Sequence, residues 1–325
     1  MHGSHRRRPT ITVENEETMA DSAKLDCGSS TPEFLPLIIE VRANEGMPRS
    51  QASQVPYTPI ELAIDASECA AAGASVYHWH GRDSISGATI DDPETFLAAA
   101  EAICRENDAL VLKPTTGFNR ESAVARMAHI VALAERCSGY VDMIPLDNFS
   151  ANSDAWMPAT RSFGSDHSVY INTRGHIMEC IEIARGLGLP VSLACPDIGS
   201  IRTGICYRDM GLLPGGTLWE IAFSGPSMPL AAAPSITALQ AMVAAIPAGD
   251  PWSVLCTSGD LLPLCGTIIL MGGHISIGLG DHNYARFGEL RNVHLVQKVK
   301  AIADIIGRPV ATPSEARTML SVGTS

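Results

Sequence analysis

A (β/α)8 barrel, the TIM barrel, is the fold class this sequence predicts, and three observations predict it. Eight short apolar runs recur from Leu35 to the end of the chain, amphipathic helical patterns separate them, and the loop after the first run lacks the G-x-G-x-x-G phosphate loop of a doubly wound open sheet. Strands that alternate with helices imply parallel βα units. Eight such units in roughly 290 residues fit a closed barrel.

The strand candidates are LPLIIEV (35–41), ASVYHWH (74–80), ALVLKP (109–114), YVDMIPL (140–146), PVSLAC (190–195), TLWEIAF (217–223), WSVLC (252–256) and HISIGL (274–279). The helix Pro59–Ala72 opens with Thr58 as N-cap and Pro59 at its first position, and Gly73 closes it. Pro93–Arg105, Glu121–Cys137 and Arg174–Gly186 follow the same pattern. One further apolar stretch, HSVYIN (167–172), reads as an insertion before the helix at Arg174. Residues 1–32, polar and poor in apolar groups, read as a disordered tail with no secretory signal, and 33–325 as the barrel's catalytic domain.

Composition sets the outer limits. Apolar residues make up 46% and charged residues 18%, enough for a sizeable core. A formal charge of −12 with scattered Lys and Arg excludes a nucleic-acid partner, which needs a concentrated basic face. No apolar stretch has the length of a membrane span. The 9 cysteines form no C-x-x-C pair, and Cys195, Cys256 and Cys265 sit in apolar runs. Buried free thiols in a reducing, cytoplasmic setting account for them better than disulfides.

A barrel places its site at the C-terminal ends of its strands. That rule selects Asn44, Glu45, His78, His80, Arg82, Thr115, Thr116, Asp147, Asn148, Asp197, Ser224, Thr257, Ser258, Asp281 and His282. The sharpest feature is His78-Trp79-His80. Residues i and i+2 of a strand share a face, so both imidazoles project together, a good start on a Zn2+ site that needs one or two more ligands. The same donors also suit manganese, cobalt or nickel. Thr115 and Thr116 beside Gly117 offer hydroxyls to a carboxylate or carbonyl. Asp281 is a candidate base, and His282 reads as a surface residue.

Four stretches carry a resemblance: VPYTPIELAIDASECAAAGASVYHWHGRD, LKPTTG, GGHISIGLGD and GRPVATPSEARTML. The chain resembles the β-keto acid cleavage enzyme family, as a divergent member. The resemblance implies a (β/α)8 barrel, a homotetramer and a divalent ion, zinc or similar. It implies that a β-keto acid and acetyl-CoA give acetoacetate and a new acyl-CoA. Carried over residue by residue, it makes His78 and His80 metal ligands and Asp281 the catalytic aspartate. Thr115, flanked by Thr116 and Gly117, would hold the substrate carboxylate, and Asn148 and Ser276 join the substrate-binding set.

The chain departs from the family pattern at the charged positions of strand eight. The glutamate expected before the aspartate is Gly280, and the expected arginine is Ser276. Pro145, Asp147, Ser192 and Ala194 replace the polar residues expected on strands four and five. Glu45, on the strand-one loop of the same rim, is the candidate to complete the metal site. Arg82 and Arg202 are the candidates for the missing cation, Arg82 as a catalytic residue. A keto-acid lyase or hydrolase without CoA, and a non-catalytic barrel that binds a small acid, stay open as alternatives.

Overall fold

The computed structural model describes residues 34–118 and 122–323. The tail expected over residues 1–32 lies outside them. Eight parallel strands form one sheet: β1 (Ile39–Arg42), β2 (Val76–Trp79), β3 (Val111–Pro114), β4 (Ile144–Asp147), β9 (Val191–Cys195), β10 (Leu218–Ser224), β11 (Trp252–Thr257) and β12 (His274–Ile277). Their order is β3-β2-β1-β12-β11-β10-β9-β4. The two ends meet where the Asp142 N–H donates to the Leu112 carbonyl at 2.8 Å and the Asp142 carboxylate accepts the Leu112 N–H at 2.8 Å. Arg317 of helix α9 (Pro313–Met319) clamps that carboxylate. The barrel is thereby nearly closed, as the alternation of runs predicts.

Each predicted strand run overlaps one of these strands; four strands, β1, β4, β10 and β11, run one residue past the predicted end, to Arg42, Asp147, Ser224 and Thr257. The helices α1 (Pro59–Ala72), α2 (Pro93–Glu106), α3 (Ala123–Arg136) and α4 (Arg174–Gly186) lie where the periodicity puts them, and α5 (Ile198–Asp209), α6 (Ile236–Val243), α7 (Leu262–Leu270) and α8 (Asn292–Ile306) complete the ring. Thr58 caps α1 in a reciprocal box with Glu61, and Gly73 ends it at φ 113°, a left-handed conformation that favours glycine.

The stretch between β4 and α4 is more ordered than an insertion requires. It holds two small antiparallel pairs, β5 (Ala151–Asn152) with β8 (Val169–Tyr170) and β6 (Trp156–Met157) with β7 (Ser162–Phe163). HSVYIN supplies β8.

Alternate residues of each strand face the barrel's interior. The bottom is apolar, with Ile38, Val76, Val111 and Leu218 packed on Ala316 and Leu320 of the α9 region. The middle is charged. Lys113 is fully buried, and its Nζ donates to Glu40 Oε2 at 2.6 Å and Glu220 Oε1 at 2.5 Å. Ser276 donates to the free oxygen of Glu40 at 2.9 Å, and Ser192 to that of Glu220 at 2.8 Å. Burial works against the Lys113 charge, but the two carboxylates outweigh it and hold the ammonium above its usual range. Lys113→Met leaves two carboxylates buried without their cation. The expected cost is about 3–5 kcal/mol of unfolding free energy, read as a lower denaturant midpoint.

Candidate metal centre and active site

Three ligand-bearing side chains converge at the mouth of the barrel. His78 and His80 share one face of β2 and its end, with ring centroids 5.3 Å apart and planes at 85°. Glu45 reaches them from the loop after β1. Its Oε1 lies 3.2 Å from His78 Nε2, and its Oε2 contacts His80 Nε2. Ligand atoms of all three fall within 4.8 Å of one another, and all three residues are buried.

The hydrogen bonding is compatible with a cation here. His78 Nδ1 lies 2.7 Å from the Lys113 carbonyl, which can only accept, so Nδ1 carries the proton. In the neutral ring, Nε2 then presents a lone pair to Glu45 Oε1, which finds no hydrogen-bond donor. Two acceptors 3.2 Å apart call for a proton or a metal ion between them. A carbonyl that fixes the tautomer of a ligating histidine is a common device of metal sites. His80 Nδ1 is buried and unpartnered, and burial pulls the His80 imidazolium below its usual range. The local charge agrees with a cation. Among the described residues, four carboxylates, Glu40, Glu45, Glu220 and Asp281, pair with two permanently charged groups, Arg42 and Lys113, a deficit that a dication offsets. The donor set of two imidazoles and a carboxylate fits zinc and its divalent neighbours.

Glu45 stands at φ 23°, at the edge of the left-handed region, which costs a non-glycine residue about 1–3 kcal/mol. Its loop is held in place by two residues. Asn44 donates to the carbonyls of Pro56 and His80 at 3.0 Å and accepts the His80 N–H at 2.8 Å. Arg82 donates to the carbonyls of Gly87 (2.6 Å), Asn44 (2.5 Å), Met47 (3.0 Å) and Glu45. Its guanidinium is therefore engaged with backbone behind the loop, and Arg82 is absent from the cavity wall. The expected catalytic cation instead positions the candidate ligand.

The cation at the reacting face is Arg42, which the sequence reading missed. Its Nε donates to Asp281 Oδ2 at 2.6 Å, and its terminal nitrogens lie 3.3 Å from Glu45 and 3.9 Å from Glu40. Burial opposes the Arg42 charge, yet Asp281, Glu45 and Glu40 outweigh it and keep the guanidinium protonated. Burial pushes the Asp281 carboxyl up to about 6; Arg42 pulls it down and Glu45 pushes it up. For Glu45, burial alone raises the carboxyl, but Arg42 and the two imidazoles hold it well below the carboxylate range. Glu40 and Arg42 alternate within an otherwise apolar strand. That charged i, i+2 pair aimed into a barrel is a signal the sequence did contain.

A cavity of about 630 Å3 opens over these groups, and His78, His80, Glu45, Asp281, Thr115, Thr116 and Asp147 all line it. Other expected residues stand elsewhere. Gly117 lies behind the wall, with its N–H on the Arg126 carbonyl at 3.0 Å. The Asn148 amide donates to the Ser200 carbonyl at 2.7 Å, and Ser276 sits one layer down on Glu40. None of these three borders the cavity, because each points a residue too far out or too deep. Asp197 caps α5, Arg202 is exposed on that helix, and His282 packs edge-on against Tyr284.

Gly280 and Glu45 are sterically linked. A Cβ at 280 meets Glu45 Cγ at 2.5 Å and its backbone nitrogen at 2.7 Å. A side chain before Asp281 and the present position of Glu45 are therefore mutually exclusive. Gly280→Ala is expected to push Glu45 aside and weaken divalent-metal binding at least tenfold, within the range that loss of ligand support produces. Metal titration followed by calorimetry reads the change.

Comparison with known proteins gives a consistent picture. The sequence model of the family described as beta-keto acid cleavage enzyme matches residues 36–322. A 3-keto-5-aminohexanoate cleavage enzyme of Fusobacterium nucleatum is 29% identical over 82% of this chain and 91% of its own length. A 3-dehydrocarnitine:acetyl-CoA trimethylamine transferase of Rhizobium meliloti is 24% identical, over 84% and 92% respectively. Among solved structures, the binary complex of ObcA with oxaloacetate superposes with a TM-score of 0.64 at 16% identity, covering 83% of this chain and 68% of that one, which speaks to shared fold.

Proposed function

From the premise that this chain belongs to the beta-keto acid cleavage enzyme family, we propose that it is a divalent-metal-dependent enzyme that condenses a β-keto acid with acetyl-CoA, giving acetoacetate and a new acyl-CoA. The observation that carries the reading is the convergence of His78, His80 and Glu45 beside the Arg42–Asp281 pair in one cavity. Relatives named for transfer between a keto acid and acetyl-CoA support the general reaction. The homotetramer expected from the resemblance and the cytoplasmic setting expected from the free thiols belong to the same proposal; among the described residues, no helix is long and apolar enough to cross a membrane.

In this reading His78, His80 and Glu45 hold the ion, zinc or a similar divalent metal, which supplies positive charge where the keto acid's carbonyl gains negative charge. Thr115 turns its hydroxyl toward the substrate carboxylate, with Thr116 beside it. Asp281 removes a proton from C2 of the keto acid; a carboxyl near 6 is a workable base at neutral pH. The C2 carbanion attacks the thioester carbonyl, so the acetyl group leaves sulfur for C2. The released CoA thiolate adds to the original keto carbon, and the C2–C3 bond breaks. The substrate's acyl group departs as its CoA ester, and the acetoacetate carbanion recovers the proton from Asp281. Arg42 holds the Asp281 carboxylate in place throughout and steadies charge on it.

Two measurements test the reading. His78→Ala and His80→Ala should each lose stoichiometric metal and acetyl-CoA-dependent turnover while the far-UV circular dichroism stays unchanged; metal retained in both variants would overturn the assignment. Arg42→Met should lower kcat on the order of a hundredfold with metal content preserved, and Arg42→Lys should recover part of that loss. An Arg42→Met enzyme with full kcat excludes Arg42 from the reaction.

A further inference from the structure

The cavity has two unlike halves. The wall formed by β1, β2 and the loop after β12 carries Arg42, Glu45, His78, His80 and Asp281. The facing wall comes from the mouths of β4, β9, β10 and β11, where Pro145, Ala194, Ala222 and Leu255 turn inward. Strand register groups them, since Asp147 pairs with Ala194 and Ala222 with Leu255. Phe149 and Met228 continue the apolar surface outward.

Two carboxylates border this half, and both are already engaged. Glu220 accepts Lys113 at 2.5 Å through one oxygen and Ser192 at 2.8 Å through the other. Asp147 accepts the Tyr170 hydroxyl at 2.5 Å and lies 3.7 Å from the Arg126 guanidinium. A cationic group lying along Ala194, Ala222 and Leu255 loses water and meets only carboxylates already paired with Lys113 or Arg126, which is unfavourable. An alkyl chain there gains from leaving water, about fourfold in affinity per buried methylene. The alanines leave room where larger side chains would fill the barrel.

Resting on the cleavage reading above, we infer that the β-keto acid taken by this site carries an uncharged, apolar side chain, lodged against Ala194, Ala222 and Leu255. Relatives whose names specify an aminohexanoate or a trimethylamine act on different side chains. The pairing of Glu220 and Asp147 within the protein sets this chain apart from a site that receives an ammonium.

Calorimetric binding to the zinc-loaded protein, without acetyl-CoA, tests the inference independently of turnover. The matched probes are 3-oxobutanoate, 3-oxohexanoate and 5-amino-3-oxohexanoate. The hexanoate should bind roughly tenfold tighter than the butanoate, as two extra methylenes predict. It should also bind at least about tenfold tighter than its 5-amino analogue, whose ammonium meets there only carboxylates that already have a cation. Ala222→Asp should erase or reverse the second preference. Should that variant fail to fold, Ala194→Leu should weaken the hexanoate selectively and leave 3-oxobutanoate within about twofold, a methylene-scale change. Equal or tighter binding of the amino acid analogue overturns the inference, as does equal binding of butanoate and hexanoate. Selective alkyl binding without acetyl-CoA-dependent turnover leaves the side-chain pocket standing and removes the cleavage reading.

Discussion

An excess of buried negative charge in the upper half of the barrel is the constraint on which the rest of this structure depends. Four carboxylates enter a space from which water is largely excluded, and the chain supplies two basic side chains against them. Buried charge without compensation is costly, so each oxygen must find a proton, a cation or a donor. Most do. Glu40 and Glu220 are satisfied from Lys113 and two serines, and Asp281 from Arg42. Glu45 Oε1 is the oxygen left over, and it faces an imidazole lone pair. The deficit is thus localised at one point, between three side chains whose chemistry suits a divalent ion.

The departures from the family pattern become coherent on this view. The resemblance leads one to expect a glutamate at 280 and an arginine at 276, both on the eighth barrel strand, β12, and its loop. Here those positions are Gly280 and Ser276, while Arg42 ends the neighbouring strand β1 and Glu45 stands on the loop after it. β1 and β12 pair in parallel with Glu40 opposite Ser276, and the Gly280 N–H donates to the Arg42 carbonyl at 3.1 Å. Neighbouring strands of a barrel deliver side chains to nearly the same volume, so a charged group can change strands and keep its place in space. The exchange must be reciprocal. Glu45 occupies the space that a Cβ at Gly280 would take, and Ser276 is small and neutral in the layer that already holds Glu40.

How much of this the sequence discloses depends on whether the signal is periodic or positional. The barrel is periodic, and eight apolar runs with capped helices between them, such as Thr58 to Gly73, carry it plainly. His78 and His80 are legible for the same reason, since a spacing of two on a strand fixes a shared face. Arg42 escapes because the apolar run invites an end at Val41, one residue too soon, and the alternation of Glu40 with Arg42 then looks like a boundary. Lys113 and Glu220 are hidden likewise, as single charges inside runs that read as core. Arg82 misleads in the opposite way. A strand-end arginine suggests catalysis, but four nearby carbonyls compete for its fork, and that competition exists only in three dimensions. The two-residue pairs of the insertion after β4 are too short for any period to register.

A candidate ligand carried on a loop raises a mechanical question that strand-borne candidates do not. His78 and His80 inherit their direction from the sheet, whereas Glu45 sits in an irregular segment at an unfavourable φ. Loops are ordinarily the mobile part of a barrel, and a site loose by an ångström loses much of its value. The chain answers with interactions that bind the loop's backbone rather than its tip. Asn44 joins it to the backbone of His80, so ligand and ligand move together. Arg82, two residues past His80, grips the same loop through the carbonyls of Asn44, Glu45 and Met47. Both histidines and the glutamate are therefore referred to one strand end. A loop anchored in this way is tied to the end of β2, so that Glu45, the candidate ligand, is referred to the same frame as the two histidines.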